Sequence, residues 1–384
     1  MKNALRLLAL AALAAVFTLP AYAQDAAATP AAASGPCTEA DAKAAVYKRF
    51  TDNFKGTPDQ QKAAYEAGKE YLSKYGACPD ATDKQIATYV QNWVGKYEKA
   101  VVEFNCVKAA NDNPSEAFSA CRPLVTANPD NVKWRLVLVG AGIKAYSNKN
   151  NSFNAQAAAE ARTALSLIEQ GKTADTWAPF ASQQDAAAGL HYYLAAWSLD
   201  SNTDEAASHL LKVAQSNSLF AKEPATFQLL GAAYYNGELK KLADEYKSKY
   251  EGKEETPESA ALFNRINVVL DRVIDAYARA VALANTNAKH AATVTQLRPV
   301  LTALYKQRHE GQETGLNELI ASVLTKPLPI PGREPVPAAT PASSSAANGA
   351  SGAATATQPA SAQPAATPAS GAKPAAPAQN PPRR

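Results

Sequence analysis

The chain has 384 residues, of which 46% are hydrophobic and 19% charged, and its formal net charge at pH 7 is +4. The positive excess lies at the two ends, since Lys2 and Arg6 stand near the N-terminus and the stretch from Pro327 holds four basic residues against one acidic residue. The long body between them is close to neutral and lacks the basic surface that a nucleic acid requires. We therefore predict no nucleic-acid partner.

The first 23 residues, 1–23, have the three-part layout of a secretory signal peptide. A short basic start is followed by an apolar run from Leu7 to Leu19 and by the small-x-small site Ala21-Tyr22-Ala23. The apolar run of about 13 residues is shorter than the ~20 residues that span a bilayer, so we expect no stable membrane insertion. We predict cleavage after Ala23 and a periplasmic or secreted protein.

Two polar flanks, residues 24–36 and 327–384, enclose the predicted folded body, residues 37–326. The C-terminal flank is rich in Pro, Ala and Ser and has no aromatic residue. Such a segment cannot bury enough apolar surface to offset the entropy of ordering, so we predict a disordered linker and a disordered tail. A spacer, a glycosylated stalk, a strand threaded through peptidoglycan and a solubilising extension all fit the tail.

Helix-start patterns recur along the body and predict an all-α fold. In a capping box, a polar side chain accepts a hydrogen bond from the backbone N–H three residues later. The acid or amide side chain at that later position accepts a hydrogen bond from the backbone N–H of the first residue. The runs between such starts are rich in Ala, Leu, Lys, Glu and Gln, which favour helices. The pattern occurs at Thr38, Thr57, Thr82, Asn113 and Asn202.

The stretch around Gly140 and Gly142 permits two interpretations. With Ala145, the glycines fit the turn of a dinucleotide-binding site, which requires a strand before them and a long helix after them. A polar break follows almost at once, and no strand is predicted nearby. We favour a helix and no nucleotide, because apolar residues also recur on one helical face at Trp134, Val137, Leu138, Ala141 and Ala145.

The run Phe227-Gln-Leu-Leu230-Gly231-Ala-Ala-Tyr234, followed by Ala243, resembles the tetratricopeptide repeat. In that family, small residues let two helices approach closely and aromatic side chains fill the holes opposite. The spacing elsewhere departs from the family's repeat of about 34 residues, and one long helix is predicted from about Lys84 to Ala109. The resemblance therefore implies an irregular tetratricopeptide-like α-solenoid, a superhelix of antiparallel helix pairs, with an unrelated helical bundle as the alternative.

Four cysteines in an exported chain are expected to pair. Cys37 precedes the first predicted helix and Cys78 follows the second, so a bond between them would close the open end of a helical hairpin. Cys106 and Cys121 stand at similar heights on either side of a predicted turn. We predict the disulfides Cys37–Cys78 and Cys106–Cys121, with buried free thiols or redox and metal chemistry as alternatives.

The resemblance also implies a concave groove lined by the first helices of the pairs. It places Gln228, Tyr235 and Asn236 in that groove. With a looser register, the long helix would add Tyr89, Asn92 or Trp93. Tyrosine and asparagine suit the recognition of a peptide backbone or a glycan, although each is also compatible with an ordinary surface or packing role.

We find no catalytic residue, metal site or cofactor motif in the sequence. His309-Glu310 lacks the second histidine of a metalloprotease helix, and no nucleophile elbow or phosphate-binding loop occurs. We therefore predict a non-enzymatic scaffold, without cofactor or metal, that holds a protein or peptide of the cell envelope. A peptidoglycan- or polysaccharide-binding protein is the first alternative, and a lytic glycosidase is the second.

Overall fold

The structure is a computed structural model, and it describes residues 35–332. The predicted signal peptide, nearly all of the linker and the tail from residue 333 lie outside the described residues. Every regular element in the described range is helical, which confirms the predicted all-α class. Within this range no helix combines the length and the apolar character that crossing a membrane would demand.

Fourteen α-helices follow one another in residues 35–332, joined in places by 3₁₀ turns. Their bounds are α1 (Ala40–Asn53), α2 (Pro58–Tyr75), α3 (Ala81–Asp112), α4 (Pro114–Ala120), α5 (Arg122–Ala127), α6 (Val132–Ser147), α7 (Asn154–Glu169), α8 (Gln183–Ser198), α9 (Thr203–Ala214), α10 (Pro224–Tyr234), α11 (Lys240–Tyr250), α12 (Pro257–Asn285), α13 (Ala291–Arg308) and α14 (Leu316–Ser322). A π-helical turn, Tyr235–Leu239, lies between α10 and α11.

Several helices begin where the side-chain pattern predicts. Thr57 forms a complete capping box with Gln60 at the start of α2. The side chain of Asn113 accepts from Ser115 N at the start of α4, and that of Asn202 does the same from Glu205 N at α9. These acceptors satisfy backbone N–H groups that the first helical turn leaves without a partner.

The start of α3 differs from the predicted capping pattern. Asp80, and not Thr82, supplies the capping oxygen, because its Oδ1 accepts from the backbone N–H groups of Thr82 and Asp83. The helix therefore begins at Ala81, slightly earlier than predicted, and it extends to Asp112. The predicted long helix is otherwise confirmed.

The described chain divides into two compact units, residues 35–99 and 100–332, with the boundary inside α3. The first unit packs α1 and α2 with the first part of α3 around Phe50, Tyr71 and Val90, which are fully buried. Gly68 on α2 permits this packing, because a Cβ at that position would lie 2.9 Å from Val94 Cγ2.

The cysteines are joined as Cys37–Cys78 and Cys106–Cys121. This is the pairing expected from the helical layout, and no free cysteine is present in the described residues. The Cα atoms of the two pairs are 5.4 Å and 4.6 Å apart, within the usual range for disulfides. The first bond ties the start of α1 to the end of α2, and the second ties α3 to the end of α4.

In residues 100–332, most long helices pack against the next one along the chain. Successive contacts run from α6 to α7, α8, α9 and α10, and then from α10 to α12 and α13. The 29-residue helix α12 also contacts α11 and α14. The larger apolar core of this unit includes the fully buried side chains of Leu136, Leu190, Leu210, Leu230 and Leu301. A separate, smaller cluster surrounds the Cys106–Cys121 disulfide and includes Trp134 and Leu138.

The stretch with Gly140 and Gly142 is helical, as α6, and not a strand followed by a turn. A Cβ at Gly142 would overlap the Cβ of Ala157 on α7, so this glycine is required for close packing of two helices. The predicted apolar face is buried, apart from Val137, which is half-buried. Neither glycine lies at a phosphate-binding turn.

The segment that most resembles a tetratricopeptide pair differs in one respect from that pattern. The chain passes from α10 through the π-helical turn into α11 without a reverse turn, and Ala243 is exposed. Gly237 lies inside the π-helical turn and close to α9, where a Cβ would lie 2.6 Å from Thr203 Oγ1. The helices packed on α10 are therefore α9 and α12, and not α11.

Candidate functional site

The three predicted groove residues of the second unit lie on α10 and the π-helical turn. Gln228 and Tyr235 are half-buried, and Asn236 is exposed. The Tyr235 ring packs against the core of the unit. Gln228 and Asn236 present polar groups at the surface, whereas Tyr235 combines surface exposure with a packing role.

The three candidates of the first unit lie on α3. Tyr89 is 45% exposed and meets the rings of Phe50 and Phe54 edge-on. Asn92 is exposed, and Trp93 is half-buried with its ring 5.2 Å from Phe50 in an edge-to-face arrangement. The Trp93 ring thus packs against Phe50, and the side chains of Tyr89 and Asn92 are more exposed to solvent than that of Trp93.

A row of stacked aromatic rings continues from Trp93 along the first unit. The Trp93 and Tyr97 rings are stacked with centroids 5.3 Å apart, and Tyr97 stacks on Tyr65 at 5.0 Å. The Tyr65 hydroxyl donates to Glu98 Oε1 at 2.9 Å. All three rings are half-buried, so the row has both a packed side and a surface side.

An extended C-terminal segment, Lys326 to Pro331, lies against the helices of the second unit. The Arg279 guanidinium on α12 is 5% exposed and donates from Nη2 to the carbonyl oxygens of Lys326 and Pro327, at 3.0 and 2.9 Å. Leu328 packs on the apolar core. The predicted disordered tail thus begins with a few residues that are held on the fold.

Asp275 orients the Arg279 guanidinium. Its Oδ1 accepts from Arg279 Nε at 2.6 Å, and both side chains are largely buried. Burial raises the pKa of the Asp275 carboxyl, and the neighbouring Arg279 opposes that rise. A buried charged pair of this kind is retained only with good hydrogen bonding, which here includes the carbonyls of the segment.

The far end of the segment reaches a cavity of about 350 Å³. Arg272, one of its lining residues, is 5% exposed, forms an ion pair with Glu238 at 2.9 Å and lies over the Tyr234 ring at 5.1 Å. None of Gln228, Tyr235 and Asn236 lines this cavity. Its walls come from α9, α10, the π-helical turn, α12 and the segment: Thr203, Asp204, Ala207, Ser208, Leu211, Ala233, Tyr234, Glu238, Arg272, Ile330 and Pro331.

Two histidines meet between α8 and α9. The Nδ1 atoms of His191 and His209 are 2.8 Å apart, so one donates to the other. Burial, with the second ring beside it, lowers the pKa of His191 to about 4. Burial also lowers the pKa of His209, and the Glu205 carboxylate 3.6 Å from its Nε2 opposes this shift. The pair is neutral at pH 7 and serves as a contact between helices.

Among the described residues, no group of three or more His, Cys, Asp and Glu side chains is arranged to hold a metal ion. The histidine pair has one adjacent carboxylate, and Glu205 is already bonded to Arg162 Nη2 at 2.8 Å.

The comparisons with known proteins identify no relative of this chain. No protein-family model matches the chain, and neither the curated proteins nor the solved structures compared with it gave a match. The functional interpretation therefore depends on the side chains themselves.

The sequence reasoning missed the C-terminal segment and its two arginines. Two signals were present: Arg272 and Arg279, seven residues apart in a helix rich in apolar residues, and the alternating Pro-Leu-Pro-Ile-Pro motif at the start of the tail. Residues seven apart lie on one face of a helix, so Arg272 and Arg279 could have been placed together. The contact of Arg279 with Lys326 and Pro327, some 50 positions later, could not have been predicted from the sequence.

Proposed function

We propose that the chain is an exported, non-enzymatic scaffold that binds a protein or peptide of the cell envelope. Its second unit, residues 100–332, would act as an irregular tetratricopeptide-like superhelix. Gln228, Tyr235 and Asn236 would contact the ligand in the groove of that superhelix, and Tyr89 and Asn92 would offer a further contact surface on the first unit.

The packing of α10 is the observation that carries this proposal. A Cβ on Gly231 would lie 2.5 Å from Cδ1 of the buried Tyr277 ring and closer still to Cε1. A small residue on one helix against an aromatic ring on its partner is the kind of contact that the tetratricopeptide resemblance implies, although the partner of α10 here is α12 and not α11. Because this side of α10 is fully used against α12, the polar side that carries Gln228 and Asn236 remains for a ligand.

The two disulfides support export. Disulfides form and persist in oxidising compartments such as the periplasm, and both cysteine pairs are bonded. A loop of 15 to 41 residues closed by such a bond stabilises a fold by roughly 3–4 kcal/mol in the chain-entropy model. These bonds would stiffen the N-terminal part of the scaffold outside the cytoplasm.

A glycan-binding protein is the second candidate, and the aromatic row Tyr65–Tyr97–Trp93 favours it. Aromatic rings with one accessible side suit sugar rings, and the predicted envelope location would supply peptidoglycan. Co-sedimentation with purified sacculi separates the candidates, because a peptide-binding scaffold stays in the supernatant. Release of soluble muropeptides would instead indicate a lytic glycosidase.

Selection from a displayed library of random peptides tests the scaffold. The mature protein should enrich peptides whose affinity falls about tenfold or more when Gln228→Ala and Asn236→Ala are combined, as expected for residues central to an interface. The matched control is Lys240→Ala, an exposed residue a few positions later, which should leave the affinity unchanged. Failure to enrich any peptide, or equal binding by the groove variant, would contradict the proposal.

A further inference from the structure

The segment from Lys326 to Pro331 is seated on α12 as a peptide ligand would be. Arg272 and Arg279 are two helical turns apart, about 10 Å along α12. Lys326 lies at Arg279, and Ile330 lies at the cavity that Arg272 lines. Four extended residues span about 13 Å, so the segment runs along α12 in the opposite direction.

The contacts along this path involve the backbone at one end and apolar side chains at the other. Arg279 binds two consecutive carbonyl oxygens, which any residue offers. Leu328 packs on the core, and Ile330 enters the cavity wall formed with α9 and α10. Leu328 and Ile330 are both half-buried, so both side chains take part in the contact with the helices.

Proline at alternate positions suits this surface. Pro327, Pro329 and Pro331 have no backbone N–H, so three of the six residues bring no donor that would need a partner in the groove. Proline also restricts the unbound segment to extended conformations, which reduces the entropy lost on docking. The chemistry therefore selects an extended proline-containing segment with branched aliphatic residues between the prolines.

We propose that the surface between α9, α10 and α12, here called the α12 groove, is a binding site for extended proline-rich segments. The chain's own Lys326–Pro331 segment occupies it in cis, and a proline-rich segment of another protein binds by displacing it. This site is separate from the surface of Gln228 and Asn236, because neither residue lines the groove.

Peptide binding by the full chain tests this site. The probe is a fluorescein-labelled peptide with the sequence TKPLPIPGR, which reproduces residues 325–333. In the double variant Leu328→Ser/Ile330→Ser, the cis segment loses its apolar anchors and the groove opens. The labelled peptide should then bind about tenfold or more tightly than to the wild-type chain, since a groove occupied in cis for 90% of the time weakens apparent affinity by that factor.

Two controls keep the test decisive. The peptide TKPSPSPGR should bind neither chain, and far-UV circular dichroism should show that the double variant keeps its helices. In the wild-type chain, hydrogen–deuterium exchange of the peptic fragment that contains Leu328 and Ile330 should accelerate when unlabelled TKPLPIPGR is added in excess.

Equal affinity of TKPLPIPGR for the wild-type chain and a folded double variant would overturn the proposal. If the double variant does not fold, the exchange measurement decides, and unchanged exchange at high peptide concentration overturns it. Substitutions at Gln228 and Asn236 play no part in this experiment, so its failure would leave the scaffold proposal standing.

Discussion

Adding a single methyl group at Gly231 should destabilise the second unit. The new Cβ of Gly231→Ala would lie 2.5 Å from Cδ1 and 3.1 Å from Cζ of the Tyr277 ring. Tyr277 is 3% exposed and packed in the core, so the ring has no free space to move into. Overpacking of this kind costs about 1–3 kcal/mol, and the usual helix gain of alanine over glycine offsets only about 0.5–1 kcal/mol of it.

Urea denaturation followed by far-UV circular dichroism measures the effect. We expect Gly231→Ala to lower the free energy of unfolding by about 1–2 kcal/mol. The matched control is Gly95→Ala in α3, where a Cβ meets nothing within 4 Å, and this change should stabilise its unit by about 0.5–1 kcal/mol. In a Tyr277→Leu background the added methyl should become neutral or stabilising. Equal stabilisation by both alanines would refute the proposed contact between α10 and α12.

Three further predictions concern other parts of the fold. The pKa values of His191 and His209 lie below the usual 6.5, so the folded chain binds fewer protons than the unfolded chain as the pH falls from 6.5 toward 4. The free energy of unfolding should fall in that pH window by on the order of 2 kcal/mol, a value that allows for partial exposure of the rings. Urea midpoints that do not change with pH would contradict this prediction. Replacing both Cys106 and Cys121 by alanine opens a loop of 15 residues and should lower the free energy of unfolding by about 3 kcal/mol. Thermal denaturation checks this result, and the reduced wild-type chain, which lacks both disulfides, must lose at least as much stability. Thr57→Ala removes the capping box of α2 and should cost about 1 kcal/mol in the same assay, with Thr57→Ser as a control that keeps most of the stability.

Local patterns predicted much of the fold. Thr57, Asn113 and Asn202 cap their helices because a capping residue acts within three positions of itself. The helix through Gly142 was also predictable, since the apolar period extends through the glycines. These features depend on residues close together in the sequence, so they can be predicted without knowledge of the tertiary structure.

Features that depend on distant neighbours were not predictable in the same way. The helix continues from α10 into α11 through the π-helical turn, where Gly237 lies against Thr203, more than 30 residues earlier in the chain. Arg279 is held in the interior by Asp275 and by carbonyl groups of Lys326 and Pro327. Composition alone assigned Pro327 to a disordered tail, because proline content does not reveal a docking surface elsewhere in the chain.

The binding role of the candidate site residues stays a prediction. Asn92 and Asn236 are exposed, and Trp93 is half-buried with its ring against Phe50. The resemblance supplied the side of α10 on which to look, and it could not supply the ligand. Which side of a helix remains free depends on the partner helices, and the pairing of α10 with α12 departs from the repeat that the sequence resembles.

Site-specific photo-crosslinking in living cells tests the scaffold proposal most directly. A photoreactive amino acid at Asn236 or Gln228 should capture the same envelope protein, identified by mass spectrometry, while the same amino acid at the exposed Ser248 of α11 should not. Capture of nothing at Asn236 and Gln228 under several growth conditions, or of the same protein at Ser248 with equal yield, would contradict a binding surface on α10.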